Sequence, residues 1–445
     1  MKWDVAFIEK IHKERLRERE LAPKMAKRED NLFKLTSKSL YGEKVHYALE
    51  LIQNAEDAGA STITFIFDKE RLVVVNDGDV FQPDDVDAIC SVEPGRKKNK
   101  IGFFGIGFKS VFNITNAPQV VSSSFNFKIE NFIYPRPVDV LPEDLTPYYN
   151  KDKGSIFIFP QTEGLPSILE LIENFKEIDE KILLFLNKLK ALHFIEKVNG
   201  EEWRIEKSAT EESIIILKNG KTGKETKWKV FPQDLPVSKE EVPIPEGKEG
   251  ITDTRILIAF PCDEATKEAN KGSTVYCYLP TKKRSDMLFL VQADFVPTVG
   301  RADIQDVDWN KWLLKKLGEL AAYAIDQIKE DPSLSKGFYD FIPLKDEVHE
   351  PLMSLLSDSM HESLRSKRIA KTSLQEWKTP AECVWPVSVE IPEVISQPDL
   401  SSLFRKPLSY IGDELSERSE RVLTALYHHR PIMRPESPDK KRPGT

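Results

Sequence analysis

The sequence is poor in cysteine and in uninterrupted apolar stretches. It has four cysteines in 445 residues, and Cys90, Cys262, Cys277 and Cys383 are scattered with no C-x-x-C pair. That spacing points away from a disulfide framework or a cysteine zinc site and toward buried or half-buried thiols. No apolar run approaches the roughly 20 residues needed to cross a bilayer, so no membrane partner is expected. The opening stretch, MKWDVAFIEKIHKERLRERE, has no signal-peptide core, and a cytoplasmic location is the simplest expectation. Positive charge is not in excess: 64 Lys and Arg stand against 72 Asp and Glu, a net charge of −8. This argues against a protein that binds nucleic acid over its whole surface and leaves a local basic groove open. There is no internal repeat, and helices and strands do not alternate in βαβ fashion, so the expected class is α+β.

What is present is ordinary globular composition, 40% hydrophobic and 31% charged, over a length that suits two or three domains. Residues 4–21 read as a charged helix with Phe7, Ile8 and Ile11 on one face that needs a partner surface. Val45, Leu49 and Ile52 place a second helix over 44–58, stopped by Gly59. STITFIFD and RLVVVND read as two strands joined by a hairpin, FQPDDVDAIC as a short helix, and PQVVSSS, FNFKIENF and GSIFIFP as further strands. A long amphipathic helix is expected over 167–193. Strands are expected at 202–206, 213–217, 227–231, 255–260 and 274–279, and helices over 309–330 and 413–428.

The stretch IGFFGIGFKSVF places Gly102, Gly105 and Gly107 where a helix is about to begin. Glycines at a helix start let the backbone N–H groups close on an anion without a Cβ in the way. The competing explanation is a tight turn packed by Phe103, Phe104, Phe108 and Phe112. The pattern is not the G-x-x-x-x-G-K-[ST] phosphate loop, because Phe108 stands before Lys109-Ser110. Glu50 and Asn54 share one helix face, with Asp57 three residues on. They suit either a solvated acidic face or a site. Asn76-Asp77-Gly78 ends a buried-type strand, which suits a turn or a fixed carboxylate that reads a ligand.

Taken in order, Glu50 to Ala58 (E-x-x-x-N-A-x-D-A), Asn76 to Gly78 (N-D-G), Ile101 to Phe112 and Gly154-Ser155 resemble the motifs of the GHKL ATPase superfamily, which includes gyrase, the Hsp-ninety chaperones, histidine kinases and MutL. Within it, ELIQNAEDAGA and IGFFGIGFKSVFNITNAPQVVS resemble the chaperone branch and most closely the sacsin-like proteins. VYCYLPTKK and QADFVPTVGRADI extend the likeness, which covers about residues 30–330.

The resemblance implies a GHKL (Bergerat) ATP-binding α/β sandwich with a mixed, largely antiparallel sheet, followed by a second α+β domain. It implies that Gly102 and the N–H groups of Gly105, Ile106, Gly107 and Phe108 wrap the phosphates of ATP. Asn54 would ligate Mg²⁺ through its amide oxygen, and Glu50 would activate the attacking water. Asp77, beside Gly78, would accept from the adenine amino group, Ser155 would support the adenine edge, and Asp57 would back up the site. Asp77-Gly78-Asp79 departs from the family's D-x-G-x-G. The lid over the nucleotide must be short, with Arg96, Lys97, Lys98 and Lys100 in it. A cation from the following domain would sense the γ-phosphate, with Lys282, Lys283 and Arg301 as candidates. For Arg301 a salt bridge to Asp294 or Asp303 is the other reading.

The expected organisation is an N-terminal helical segment (1–29), the ATP-binding domain (30–165), a middle α+β domain (166–335), a mixed C-terminal region (336–430) and a disordered tail (431–445). The expected function is a slow, Mg²⁺-dependent ATPase that couples nucleotide state to conformational change or homodimerisation, acting on a protein client that the sequence does not identify. A nucleotide-gated scaffold in a DNA-repair or antiviral assembly is the alternative. A histidine kinase would need an upstream phosphoacceptor. His12 lacks the flanking context, and His46 lies on the site helix itself.

Overall fold

The β-branched and aromatic runs TITFIF and RLVVVN form β1 (Thr62–Phe67) and β2 (Arg71–Asn76), antiparallel from Ile63↔Asn76 to Phe67↔Leu72. The structure, a computed structural model, describes residues 2–21, 46–91, 107–210, 213–270, 273–298, 301–331, 334–335, 337–384, 391–412 and 416–427. The chain is α+β and divides into two compact units. The first comprises Met1–Lys227 with the short segments Tyr278–Thr281 and Pro297–Ala302, and the second comprises the remainder.

In the first unit β1 and β2 sit within a mixed sheet. The other strands are β3 (Gln119–Ser122), β4 (Phe125–Glu130), β5 (Tyr134–Pro137), β6 (Ser155–Pro160), β7 (Ala191–Glu196), β8 (Glu201–Ala209) and β9 (Ile214–Asn219). Their order is β5-β4-β3-β6-β2-β1-β7-β8-β9. The pairings are antiparallel except β1 with β7, which run parallel from Thr62↔Ala191 to Phe67↔Glu196. That parallel pair joins residues 166–219 to the first unit.

Here the expected long helix over 167–193 is corrected. Helix α4 spans only Ile168–Lys176, a 3₁₀ turn occupies Glu180–Leu183, and β7 follows. Ser167 caps α4 by accepting from the Glu170 N–H, and Asp179 restarts the chain by accepting from the Lys181 N–H at 2.8 Å. The run read as one helical stripe is two apolar faces that meet the same core from different directions. Phe175 of α4 lies 4.7 Å from Phe65 of β1, which stacks at 5.4 Å on Phe194 of β7, itself 4.9 Å from Trp203.

Among the described residues the other α-helices of this unit are α1 (Val5–Leu21), α2 (His46–Asp57) and α3 (Pro83–Ile89). The stripe on α1 does find a partner surface: Ile8 and Ile11 are buried, Phe7 lies 5.5 Å from Phe125, and Trp3 donates to the Asp139 carbonyl at 3.0 Å. This helix covers the edge strand β5, whose prolines already limit pairing. The run after the glycines is a 3₁₀ helix, Gly107–Asn113, in place of the expected α-helix. Phe108, Lys109, Ser110, Val111 and Phe112 are all buried, so no solvent face is left for an amphipathic α-helix.

The second unit has its own core. β10 (Lys224–Pro236) pairs antiparallel with β11 (Asp253–Pro261) from Trp228 onward. β13 (Leu290–Gln292) is antiparallel to β11 and parallel to β12 (Thr274–Cys277). Helix α5 (Asp308–Ile328) packs on α6 (Ser354–Leu364) through Gly318, where a Cβ would stand 2.5 Å from the Leu356 carbonyl oxygen. The buried Asn310 ties the start of α5 to the chain before it. Its Oδ1 accepts from Val296 N–H at 2.8 Å, and its Nδ2 donates to the Val296 and Gln305 carbonyls at 2.9 and 2.8 Å. Among the described residues no helix is long and apolar enough to cross a membrane.

Candidate functional site

The strand end after β2 carries the first built feature. Asp77 Oδ1 accepts from the N–H groups of Ser61 and Thr62 at 2.7 and 2.8 Å. Its Oδ2 accepts from the Ser61 hydroxyl at 2.6 Å and from Lys153 Nζ at 3.3 Å. A carboxylate has about four lone-pair positions, so Asp77 is a fixed, fully engaged acceptor at the head of β1. Partial burial raises its pKa, but the bonds from Ser61, Thr62 and Lys153 outweigh that and hold it below the usual carboxylate range. Ser61 and Lys153 are both exposed, and the bond from Lys153 is the longest of the four, so Lys153 is the donor a ligand amino group would displace.

Gly78 follows because nothing larger fits: a Cβ there would lie 2.5 Å from the Ala58 carbonyl oxygen at the end of α2. Gly154, at φ 81°, donates its N–H to the Gly78 carbonyl at 2.7 Å, and a Cβ on it would meet the Asn76 oxygen at 2.3 Å. Ser155 is buried, with its hydroxyl 2.8 Å from that of Ser122, whose oxygen also accepts the Phe81 N–H at 2.9 Å.

Helix α2 carries the acidic part. The Glu50 side chain is 13% exposed, and Oε1 lies 3.9 Å from Arg301 Nε and 3.8 Å from His46 Nε2. Burial raises the Glu50 pKa, Arg301 opposes this, and Asp57 adds to it. Burial and Arg301 push His46 down to about 4, so it is neutral at ordinary pH. A Cβ on Gly107 would stand 1.9 Å from Glu50 Oε2. The glycine at the head of the 3₁₀ helix is what lets that backbone close on the carboxylate. Asn54, one turn on, is exposed, and Asp57 is half-buried. Phe108 is buried, 5.8 Å from Phe157.

Helix α2, the Asn76–Gly78 strand end, Gly107 and Gly154-Ser155 therefore touch one another in a chain of close approaches. Gly102, Gly105, Ile106 and the short lid with its four basic residues lie outside the described residues. Of the three candidate cations, Arg301 belongs to the first unit and stands beside Glu50. Lys283 lies in the second unit and binds Glu350 at 2.6 Å and Asp303 at 3.3 Å, and Lys282 there is exposed. Asp294 pairs with Lys248 at 2.5 Å.

Sequence reasoning missed several residues. Gln53 accepts from Arg301 and is 1% exposed. Glu56, also buried, accepts from the N–H groups of Asn187, Lys188 and Leu189 at 2.6, 3.0 and 2.8 Å. Lys207 donates to the carbonyls of Leu183 and Leu184 at 3.1 and 3.2 Å, and to that of Leu186. Together these two side chains hold the 183–189 turn by both of its polarities. Only the crowding of polar residues in QNAED hinted at Gln53 and Glu56. Nothing in the sequence pointed to Ser61, Ser122 or Lys207. Lys109 is no surface cation either: it is buried, donates to the Ile89 carbonyl at 2.5 Å, and burial lowers it to about 8.

Residues 39–131 match the family model described as SACS, the Sacsin domain. Over 386 residues the chain is 27% identical to Protein NO VEIN of Arabidopsis thaliana, an alignment covering 78% of this chain and 14% of that protein. It is 27% identical over 237 residues to Sacsin of Homo sapiens, covering 39% of this chain and 5% of that protein. These similarities support a sacsin-like relationship. The chain spans only a small part of the length of both relatives. It is also similar to a solved structure titled as the N-terminal domain of a DNA repair protein, at TM-score 0.40 and 11% identity, over 63% of this chain and 94% of that one.

Proposed function

We propose that the first unit binds Mg²⁺·ATP and hydrolyses it slowly, and that the state of the nucleotide changes the conformation of the chain. The observation that carries this reading is the convergence just described. Four separated segments meet: Gly78 and Gly154 close on backbone that a Cβ would strike, and Gly107 closes on Glu50 of α2, whose side chain is 13% exposed. Asp77 would orient adenine, exchanging its bond from Lys153 for one from the ring amino group. Ser155, held by Ser122, would back the adenine edge.

The residues present suit Mg²⁺ better than a metal caged by protein. Among the described residues no group of three or more His, Cys, Asp or Glu is placed to hold a metal. Asn54 offers one exposed amide oxygen, a hard ligand, and phosphate oxygens and water would complete the shell. The ion would supply charge neutralisation at the phosphates. Glu50 would take a proton from water as the water oxygen bonds to the γ-phosphorus. The bond from that phosphorus to the bridging oxygen breaks, and ADP leaves with the electron pair. Burial raises the Glu50 pKa and so its basicity.

The reading is tested with two variants. Glu50→Ala is expected to retain Mg²⁺·ATP and lose turnover by about 10²-fold or more. Asp77→Asn is expected to lose ATP binding. Parent-like ATP binding by Asp77→Asn sinks the adenine assignment. Loss of binding in Glu50→Ala makes Glu50 a structural residue. Binding without turnover in the parent chain would leave the scaffold alternative.

A further inference from the structure

Gln53 is an amide sealed inside the protein. It lies three residues after Glu50 on α2 and is 1% exposed, while its neighbour Asn54 faces solvent. A buried amide needs partners, or its desolvation is uncompensated. Its Oε1 accepts a charge-assisted bond from Nη2 of Arg301. The Nε of the same guanidinium lies 3.9 Å from Glu50 Oε1. Residues 50 and 53 are neighbours on a helix face, so one arginine reaches both. Arg301 sits at φ 57°, a left-handed backbone that non-glycine residues adopt at a cost. Its side chain is 13% exposed, as is that of Glu50. On the other side, Glu50 Oε2 leans on the backbone at Gly107. His46, 3.8 Å away, is neutral and does not compete for the carboxylate's charge.

We propose that Gln53 is a positioning residue that parks Arg301 against Glu50 in the nucleotide-free protein, so that the terminal phosphate of a triphosphate must draw the arginine away. The inference rests on the ATPase reading above. A guanidinium has a fixed fork of donors. While these serve Gln53 and Glu50, the carboxylate is engaged by a cation at the place where it would meet water. A triphosphate offers more negative charge than one carboxylate and a neutral amide, and a diphosphate lacks the group in question. The parked state is thus a population that ATP has to overcome and ADP does not. Each bond holding the arginine weakens the apparent affinity for ATP in proportion.

The experiment compares the dissociation constants of a non-hydrolysable ATP analogue and of ADP, both with Mg²⁺, in the parent chain and in variants. Gln53→Leu removes the acceptor. It is expected to tighten the ATP analogue by about tenfold, the scale of one hydrogen bond to a charged group, and to leave ADP unchanged. Gln53→Glu, nearly the same shape, holds Arg301 harder and is expected to weaken the analogue by a similar factor, again without effect on ADP. In an Arg301→Ala background both differences should vanish. Gln53→Glu also covers the case in which Gln53→Leu fails to fold. Equal shifts for the analogue and ADP, no shift in either variant, or shifts that persist without Arg301 overturn the parking role while leaving the ATPase reading intact. A parent chain that binds neither nucleotide overturns that reading and this one together.

Discussion

At the scale of single residues, buried charges in this chain tend to hold backbone. Glu56 is the clearest case. It stands in the middle of QNAED, yet its two oxygens serve the N–H groups of Asn187, Lys188 and Leu189. Removing it takes the acceptor from three N–H groups, of which that of Leu189 is buried. Glu56→Ala is therefore expected to destabilise the chain by about 3 kcal/mol, read as a fall in the urea midpoint, with Glu56→Asp recovering part of it. A midpoint within error of the parent would show that the turn does not depend on this carboxylate. Asp77 makes the parallel case for pH. Its folded pKa lies below its ordinary value of 3.8, so the folded state binds fewer protons than the unfolded one as pH falls through that region. The stabilisation from Asp77 is present above the unfolded value and lost as pH drops toward the folded one. Asp77→Asn should flatten that part of the stability–pH curve, measured by urea unfolding from pH 5 down to about 2. An unchanged slope would mean that another carboxylate carries the acid limb.

At the scale of elements, Gly318 sets how closely α5 and α6 approach. A Cβ at this position would meet the Leu356 carbonyl oxygen at 2.5 Å and the Ser359 Cβ at 2.7 Å. Alanine improves intrinsic helix propensity by about 1 kcal/mol, yet the backbone in its way cannot rotate aside. Gly318→Ala is thus expected to cost a net 1–3 kcal/mol, seen as a lower thermal midpoint of the second unit. A gain in stability would mean the helices separate without penalty. Elements with a single, complete period were legible in the sequence. The second helix, the β1–β2 pair, the strand GSIFIFP and the long helix over 309–330 appear within a few residues of their expected bounds. The stretch 167–193 was not legible, because Leu and Ile spacing cannot separate a nine-residue helix, a 3₁₀ turn and a strand that share one core. What divides it is tertiary: Glu56 and Lys207 pin the 183–189 turn, and β1 supplies a parallel neighbour for β7. The site was legible in the same uneven way. Glycines with no room for a Cβ stood out by type. The partners that hold Asp77 and Arg301 did not, because Ser61, Lys153 and Gln53 are common residues made specific only by position.

At the scale of the whole molecule, the question is what nucleotide would move. Helix α1 is the candidate element, for its attachment to the rest of the first unit mixes apolar contacts, aromatic contacts and an ion pair. It rests on Ile8 and Ile11 inside, an Arg15–Asp87 pair at 2.5 Å, and Trp3 edge-on to Tyr149 at 5.4 Å. Asp87 lies on α3, so this pair ties α1 to a second helix of the first unit. Undocking exposes Ile8 and Ile11 at about 1.5–3 kcal/mol each and also breaks the Phe7–Phe125 contact. Taking such a helix from docked to released in most molecules needs a ligand that favours the released state by about 5.5 kcal/mol. Nucleotide alone would have to supply nearly all its differential affinity for that. A second copy covering the exposed isoleucines would return part of the cost, so release and homodimerisation are expected together. Light scattering should then show a doubled molar mass with Mg²⁺ and a non-hydrolysable ATP analogue, and the monomer with ADP or with no nucleotide. Ile8→Asp and Ile11→Asp, which weaken docking and spoil the same face for a partner copy, should leave the helix free and the chain monomeric in all three conditions. A monomer in every condition for a parent chain that binds the analogue would sink the dimer switch. A dimer that survives both aspartates would move the interface away from α1.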